Sequence, residues 1–203
     1  MMRRSFFVTC FILVLGGLCS GCDSGPRIDP LGPDAQILSF GDSLTHGTGA
    51  ARGQSYPEVL GSLLGRTVIN AGVPGEVSAA GRTRLAKELK EHNPDLVILC
   101  HGGNDFLRRL DQKTTRDNIV AMVEMIRASG ADVVLIGVPK LGWGLHVPPF
   151  YEEIAESNDI PYAEDILVDL LGENSLKSDA IHPNARGYRI LAKAVYDLIN
   201  EAQ

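Results

Sequence analysis

The chain has 203 residues, 44% of them hydrophobic and 22% charged. That is enough for one domain with a buried core, too short for two, and too apolar for a disordered chain. Its 25 acidic residues outnumber 19 basic ones, for a formal net charge of −6, and no basic cluster is longer than Arg108-Arg109, so the surface repels phosphate backbones and argues against nucleic acid as a partner.

In chain order, Met1 to Cys22 stand apart. Arg3 and Arg4 precede an apolar stretch from Phe6 to Leu18, and Cys19-Ser20-Gly21-Cys22 closes it with small residues. The stretch is short for a membrane-spanning helix and reads as a signal peptide over 1–22. Its ending resembles the processing pattern of bacterial lipoproteins, in which the new N-terminal Cys22 is lipidated, although Cys19 stands where that pattern prefers leucine. The expectation is a lipoprotein anchored on the periplasmic side of a bacterial cell envelope. Loss of Cys10 and Cys19 and use of Cys22 leave Cys100 alone, so no intramolecular disulfide is expected. Residues 23–34, with Gly25, Pro26, Pro30, Gly32 and Pro33, show no periodicity and are expected to be a tether leading into one domain over 35–203.

From there the pattern alternates. Ala35–Phe40 reads as a strand, Tyr56–Leu64 as a helix with Pro57 in its first turn, Thr67–Asn70 as a strand and Ala79–Glu91 as a helix. Asp95–Cys100 is a run of branched apolar residues, a buried strand; Thr114–Ala128 is a helix and Asp132–Val138 a further buried strand. Phe150–Ser157, Ile160–Ala163 and Ala185–Asn200 complete the series as helix, strand and helix. Strict alternation predicts an α/β fold, a parallel sheet with right-handed crossovers and helices on both faces. In such sheets ligands lie beyond the carboxyl ends of the strands. That singles out the loops 41–53, 71–78, 101–109 and 139–149, and the segment before the last helix.

Each of these loops carries something that can do chemistry. Gly41-Asp42-Ser43-Leu44-Thr45 offers a serine in a turn where backbone N–H groups face the same point as its hydroxyl; alone, the same residues equally serve to cap a helix. Asp179-Ala180-Ile181-His182-Pro183-Asn184 places a carboxylate three residues before a histidine, so Asp179 can hold one ring nitrogen and leave the other to take a proton. Its bland alternative is a surface histidine at the start of the closing helix. His101-Gly102-Gly103-Asn104-Asp105 supplies a neutral amide donor, Asn104, suited to an oxyanion, and also fits ordinary turn chemistry. In Asn70-Ala71-Gly72 the Gly72 N–H is a further candidate donor. The histidines at 46, 92, 101, 146 and 182 show no zinc-ligand spacing with cysteine or carboxylate, and His46 and His101 are read as neighbours of the site.

Taken together and in this order, the four elements resemble the SGNH hydrolase superfamily, also called the GDSL family, whose name spells the residue types found at Ser43, Gly72, Asn104 and His182. The resemblance runs from about Gln36 to the C-terminus. Asn70 to Ser78 and Gly102 to Asp105 are similar to the branch of acyl-CoA thioesterase, lysophospholipase L1 and arylesterase. That resemblance implies a flavodoxin-like three-layer α/β/α fold with a five-stranded parallel sheet. It implies hydrolysis of carboxylic or thioester acyl groups through an acyl-serine, with no metal and no cofactor. Carried over by position, Ser43 is the nucleophile, His182 the base and Asp179 its orienting carboxylate. The N–H groups of Ser43 and Gly72 and the Asn104 side chain form the oxyanion hole. The apolar, glycine-hinged stretch Pro139–Tyr151, with Trp143 and Leu145, is expected to receive the acyl chain. A small-molecule or lipid acyl ester is the expected partner, and the protein is expected to be a monomer. The alternatives are a carbohydrate O-acetylesterase of the same superfamily, a non-catalytic binding lipoprotein on this fold, and a flavin-binding flavodoxin-like protein, in which Asp42 would repel the phosphate.

Overall fold

The computed structural model describes residues 25–142 and 144–203. The expected signal peptide, the lipidation residue Cys22 and the expected acyl-site residue Trp143 lie outside the described residues.

Five strands form the central sheet: β1 (Ile37–Gly41), β2 (Val68–Gly72), β3 (Leu96–Cys100), β4 (Asp132–Ile136) and β7 (Tyr162–Ala163), in the order β2-β1-β3-β4-β7. All four pairings are parallel. The two strands buried along their whole length are β1 and β3, which explains why they read as unbroken apolar runs rather than as alternating ones. The helices are α1 (Ser43–His46), α2 (Tyr56–Leu64), α3 (Ser78–His92), α4 (Gly103–Leu107), α5 (Gln112–Ala128), α6 (Phe150–Asn158), α7 (Ile166–Gly172) and α8 (Ala185–Ala202).

Topology dictates the layers. The step from β1 to β2 runs one way across the sheet, and the steps β2 to β3, β3 to β4 and β4 to β7 run the other way. With right-handed crossovers, α2 therefore lies on one face and α3, α5 and α6 on the other. In agreement, α3 packs on α5, while α2 packs on the closing helix α8. The reversal of strand order falls between β1 and β3, the position where open parallel sheets leave a crevice for ligands. Ser43 follows β1 and Asn104 follows β3, so both expected site residues stand at that crevice.

Five parts of the chain differ from the expectations. Loop 41–53 contains α1, and loop 101–109 contains α4. Loop 139–149 folds in part as an antiparallel pair, β5 (Lys140–Gly142) with β6 (Gly144–His146). Helix α7 has six apolar or glycine residues in seven and no polar face, so no helical period marks it. Residues 25–34 contain no helix or strand, as expected of a tether, yet they do not hang free. Ile28 is buried in the core cluster, its N–H donates to Ala202 O (3.0 Å), and Asp29 N–H donates to Asp132 Oδ2 (2.7 Å). Ile28, the single β-branched side chain among these prolines and glycines, docks the segment on the edge opposite the crevice.

Candidate active site

Strand β1 ends at Gly41, and the chain turns at once into α1. Asp42 caps that helix: its Oδ1 accepts from Leu44 N–H (3.0 Å). The cap places Ser43 at the first helical position, where a backbone N–H has no intrahelical acceptor. Gly41 is required at the strand end, because a Cβ there would run into Cys100 O and the Thr45 side chain. Capping in this turn is thus done by Asp42, and the Ser43 hydroxyl is not used for it.

At the other end of the chain, Asp179 closes a tight turn by accepting from Ile181 N–H (2.8 Å) and His182 N–H (2.9 Å). The same carboxylate holds His182 Nδ1 at 2.8 Å, and His182 Nε2 lies 3.0 Å from Ser43 Oγ. Burial pushes the Asp179 carboxyl up, but the His182 ring and the two backbone amides outweigh it and leave the group below its ordinary value. It is ionised at neutral pH and can stabilise an imidazolium. Asn184 caps α8 through Arg186 and Gly187 N–H, which fixes the start of the helix directly after the histidine turn.

Asn104 sits on α4 and uses both amide protons. Its Nδ2 donates to Asp42 Oδ2 (3.0 Å) and to Glu76 O (3.0 Å), so the side chain is clamped between the serine turn and the 73–77 loop. Asp42 is almost completely buried, and desolvation raises its pKa against the opposing effects of the nearby histidines, Leu44 N–H and Asn104. Gly102, at φ 114°, takes a backbone shape that side chains rarely adopt, and a Cβ there would meet the Tyr151 hydroxyl, which donates to His101 O (2.7 Å).

The Gly72 expectation is corrected. Gly72 N–H donates to Asn70 Oδ1 (3.0 Å), and the residue packs against the His46 backbone in a separate depression with Arg52 and Asn70. An amide already bound to a side-chain carbonyl is poorly placed to serve an oxyanion. Three residues on, Val73-Pro74-Gly75-Glu76 forms a turn closed by Glu76 N–H on Val73 O (3.2 Å), with Gly75 at φ 78°. Gly75 N–H has no acceptor among the described residues, and its neighbour Glu76 is the one that holds Asn104. The Pro-Gly dipeptide was the available signal, since it marks a type II turn whose glycine takes positive φ.

Behind this loop lies a partly buried ionic group that the sequence did not reveal. His101 is fully buried; Gly102 N–H donates to its Nδ1 (3.0 Å), so Nε2 carries the proton and donates it to Glu76 Oε2 (3.1 Å). Arg84 Nη2 meets the same Glu76 oxygen at 2.7 Å and also reaches Ala71 O (3.0 Å) and Gly41 O (3.3 Å), with its guanidinium 4.1 Å from the Phe40 ring centre. Burial alone would raise Glu76, but the hydrogen bonds from His101 and Arg84 hold it at about 2.

A cavity of about 240 Å³ opens beside Ser43 and His182. Its walls include Phe106, Leu107, Val138, Leu141, Leu145 and Leu171. Leu145, expected at the acyl site, lines this cavity, and so do Phe106 and Leu171, which were not foreseen because each belongs to a different element.

Comparison with known proteins agrees with this arrangement. The model of the GDSL-like Lipase/Acylhydrolase family matches residues 39–190. The chain is 36% identical to an arylesterase of Vibrio mimicus over 121 residues, 57% of each protein. It is 32% identical to the esterase TesA of Pseudomonas aeruginosa over 139 residues, 66% of each. It thus spans a little under two thirds, or less, of these two relatives. Among solved structures, AlinE4, an SGNH-hydrolase family esterase, matches at 30% identity with a TM-score of 0.65, covering 85% of this chain and 98% of that one. The crystal structure of TesA matches at 26% identity with a TM-score of 0.72, covering 83% and 99%.

Proposed function

The chain belongs to the GDSL-like lipase/acylhydrolase family, and we propose on that footing that it is a serine ester hydrolase working through an acyl-serine intermediate. The observation that carries this reading is the unbroken path Asp179–His182–Ser43, with contacts of 2.8 and 3.0 Å. Ser43 Oγ attacks the acyl carbon while its proton passes to His182 Nε2. Asp179 keeps the proton of Nδ1 in place and offsets the charge of the imidazolium. His182 then hands its proton to the departing alcohol or thiol, leaving the acyl group on Ser43. Water enters, His182 takes one of its protons, and the acid leaves as Ser43 recovers its hydrogen.

Charge on the carbonyl oxygen needs donors. Ser43 N–H and the Asn104 amide supply them in this proposal, with Gly75 N–H in the place first expected of Gly72. Asn104 exchanges its bond to Glu76 O for one to the oxyanion, and Asp42 keeps the amide aimed as it does so. A cavity of about 240 Å³ lies at the small end of ligand sites, which favours short to medium acyl chains resting on Leu145, Leu141 and Phe106. Trp143 remains proposed as a further acyl-site residue. Processing at Cys22, and with it a place on the periplasmic side of a bacterial envelope, is proposed on the sequence pattern alone.

The reading is tested by steady-state hydrolysis of nitrophenyl butyrate. Asn104→Ala is expected to lower kcat by about 10²- to 10³-fold with little change in KM, the mark of a donor engaged mainly in the transition state. A variant with unchanged kcat would remove Asn104 from the oxyanion site.

A further inference from the structure

Among the residues around the Ser43 cavity, one is both charged and unlike its surroundings. Arg109 lines it beside Phe106, Leu107, Leu141 and Leu145. Among the described residues its side chain has no hydrogen-bonded or ionic partner, whereas the adjacent Arg108 gives Nη2 to Gly75 O (2.7 Å). One arginine of the pair is used by the fold and the other is left open to the cavity, on a protein whose net charge is −6.

The backbone makes the same point independently. Arg109 N–H donates to Phe106 O (3.0 Å) and Leu110 N–H to Asp105 O (2.9 Å), the two bonds of a Schellman ending for α4. The residue in the left-handed position of that motif is ordinarily glycine or asparagine. Arg109 occupies it at φ 56°. Among the described residues the other two non-glycine residues with positive φ are Asn93 and Asp159, ending α3 and α6, and their short polar side chains tolerate that shape. Arginine has no such excuse. Strain held at the mouth of a site, by a side chain without a structural partner, points to a functional use.

Resting on the hydrolase reading, we propose that Arg109 is a specificity residue that selects esters whose alcohol half carries an anionic group, a carboxylate or a phosphate. Apart from the groups around Ser43 and Arg109 itself, the cavity is lined by apolar residues that suit the acyl half, so a charge met at Arg109 is placed on the leaving group. A guanidinium pairs such an oxyanion group with two parallel hydrogen bonds.

The test compares matched pairs on the full chain: nitrophenyl butyrate with its ring-carboxylated analogue, and 1-octanoylglycerol with 1-octanoylglycerol 3-phosphate. Arg109→Gly and Arg109→Asn both suit the left-handed backbone and both remove the charge. They are expected to raise KM for an anionic ester roughly fivefold to tenfold relative to its neutral partner. Arg109→Lys should recover part of the loss, and added salt should shrink the wild-type preference. The aryl pair reports a carboxylate and the glycerol pair a phosphate; an effect in either supports the assignment. Equal losses on both members of each pair, or no loss on any, overturns it and leaves the hydrolase intact. A wild-type protein that cleaves neither neutral ester overturns the hydrolase reading itself, and this inference with it.

Discussion

At the scale of single residues, position 109 sets function against stability. A left-handed arginine costs about 1 kcal/mol relative to glycine, so Arg109→Gly should unfold at higher urea concentration even as it loses its preference for anionic esters. A structural arginine would do the reverse and weaken the fold when removed, which equilibrium unfolding distinguishes directly. Neighbouring residues show what a sequence can and cannot disclose at this scale. Ser43, Asp179 and His182 were legible because each lies in a short turn whose geometry is local: Asp179 reaches His182 across three residues. Gly72 and Gly75 were not separable by the same means. Which of the two amides is already bound depends on where the Asn70 side chain turns, and that is settled by packing between β2 and α1.

At the scale of elements, the 73–77 loop is held from behind by Glu76, Arg84 and His101. Arg84 ties the carbonyl ends of β1 and β2 to Glu76, and the Glu76 carbonyl holds Asn104. The sequence could not show this, since His101 sits 25 residues from Glu76 and reads as one more polar residue in a glycine loop. Acid should expose the link. Glu76 titrates near 2 in the folded chain against an ordinary value of 4.5, so between those limits the unfolded chain binds more protons and stability falls as pH falls. The contribution is fully present above pH 4.5 and amounts to at most about 3 kcal/mol. Urea unfolding from pH 6 down to 2 should therefore show a steeper loss in the wild type than in Glu76→Gln. Parallel curves would mean that the ion pair contributes nothing. Helix α7 was invisible for a different reason, its lack of a polar face, although Leu171 within it lines the cavity.

Over the whole molecule, alternation of strand and helix was enough to give the sheet, its parallel sense and the edge at which the site lies. It was not enough to place the lead-in. Glycines and prolines between residues 25 and 34 signal an irregular chain, but one buried side chain, Ile28, decides that it is docked. Ile28→Ala is expected to cost about 2–4 kcal/mol, visible as a lower urea midpoint; an unchanged midpoint would return the segment to the status of a free tether. The docking point has a geometric consequence. Helix α8 begins just past His182 and runs 18 residues to Ala202, about 27 Å, where it receives Ile28. The lead-in thus joins the domain at the pole opposite the catalytic edge.

The central claim concerns the serine at that open edge. Treatment of the full chain with a fluorophosphonate, followed by mass analysis of its peptides, tests it most directly. One adduct per chain is expected on the peptide containing Ser43, with loss of ester hydrolysis in step with labelling and no adduct in Ser43→Ala. Labelling that persists in Ser43→Ala, or hydrolysis that survives complete modification of Ser43, would contradict it.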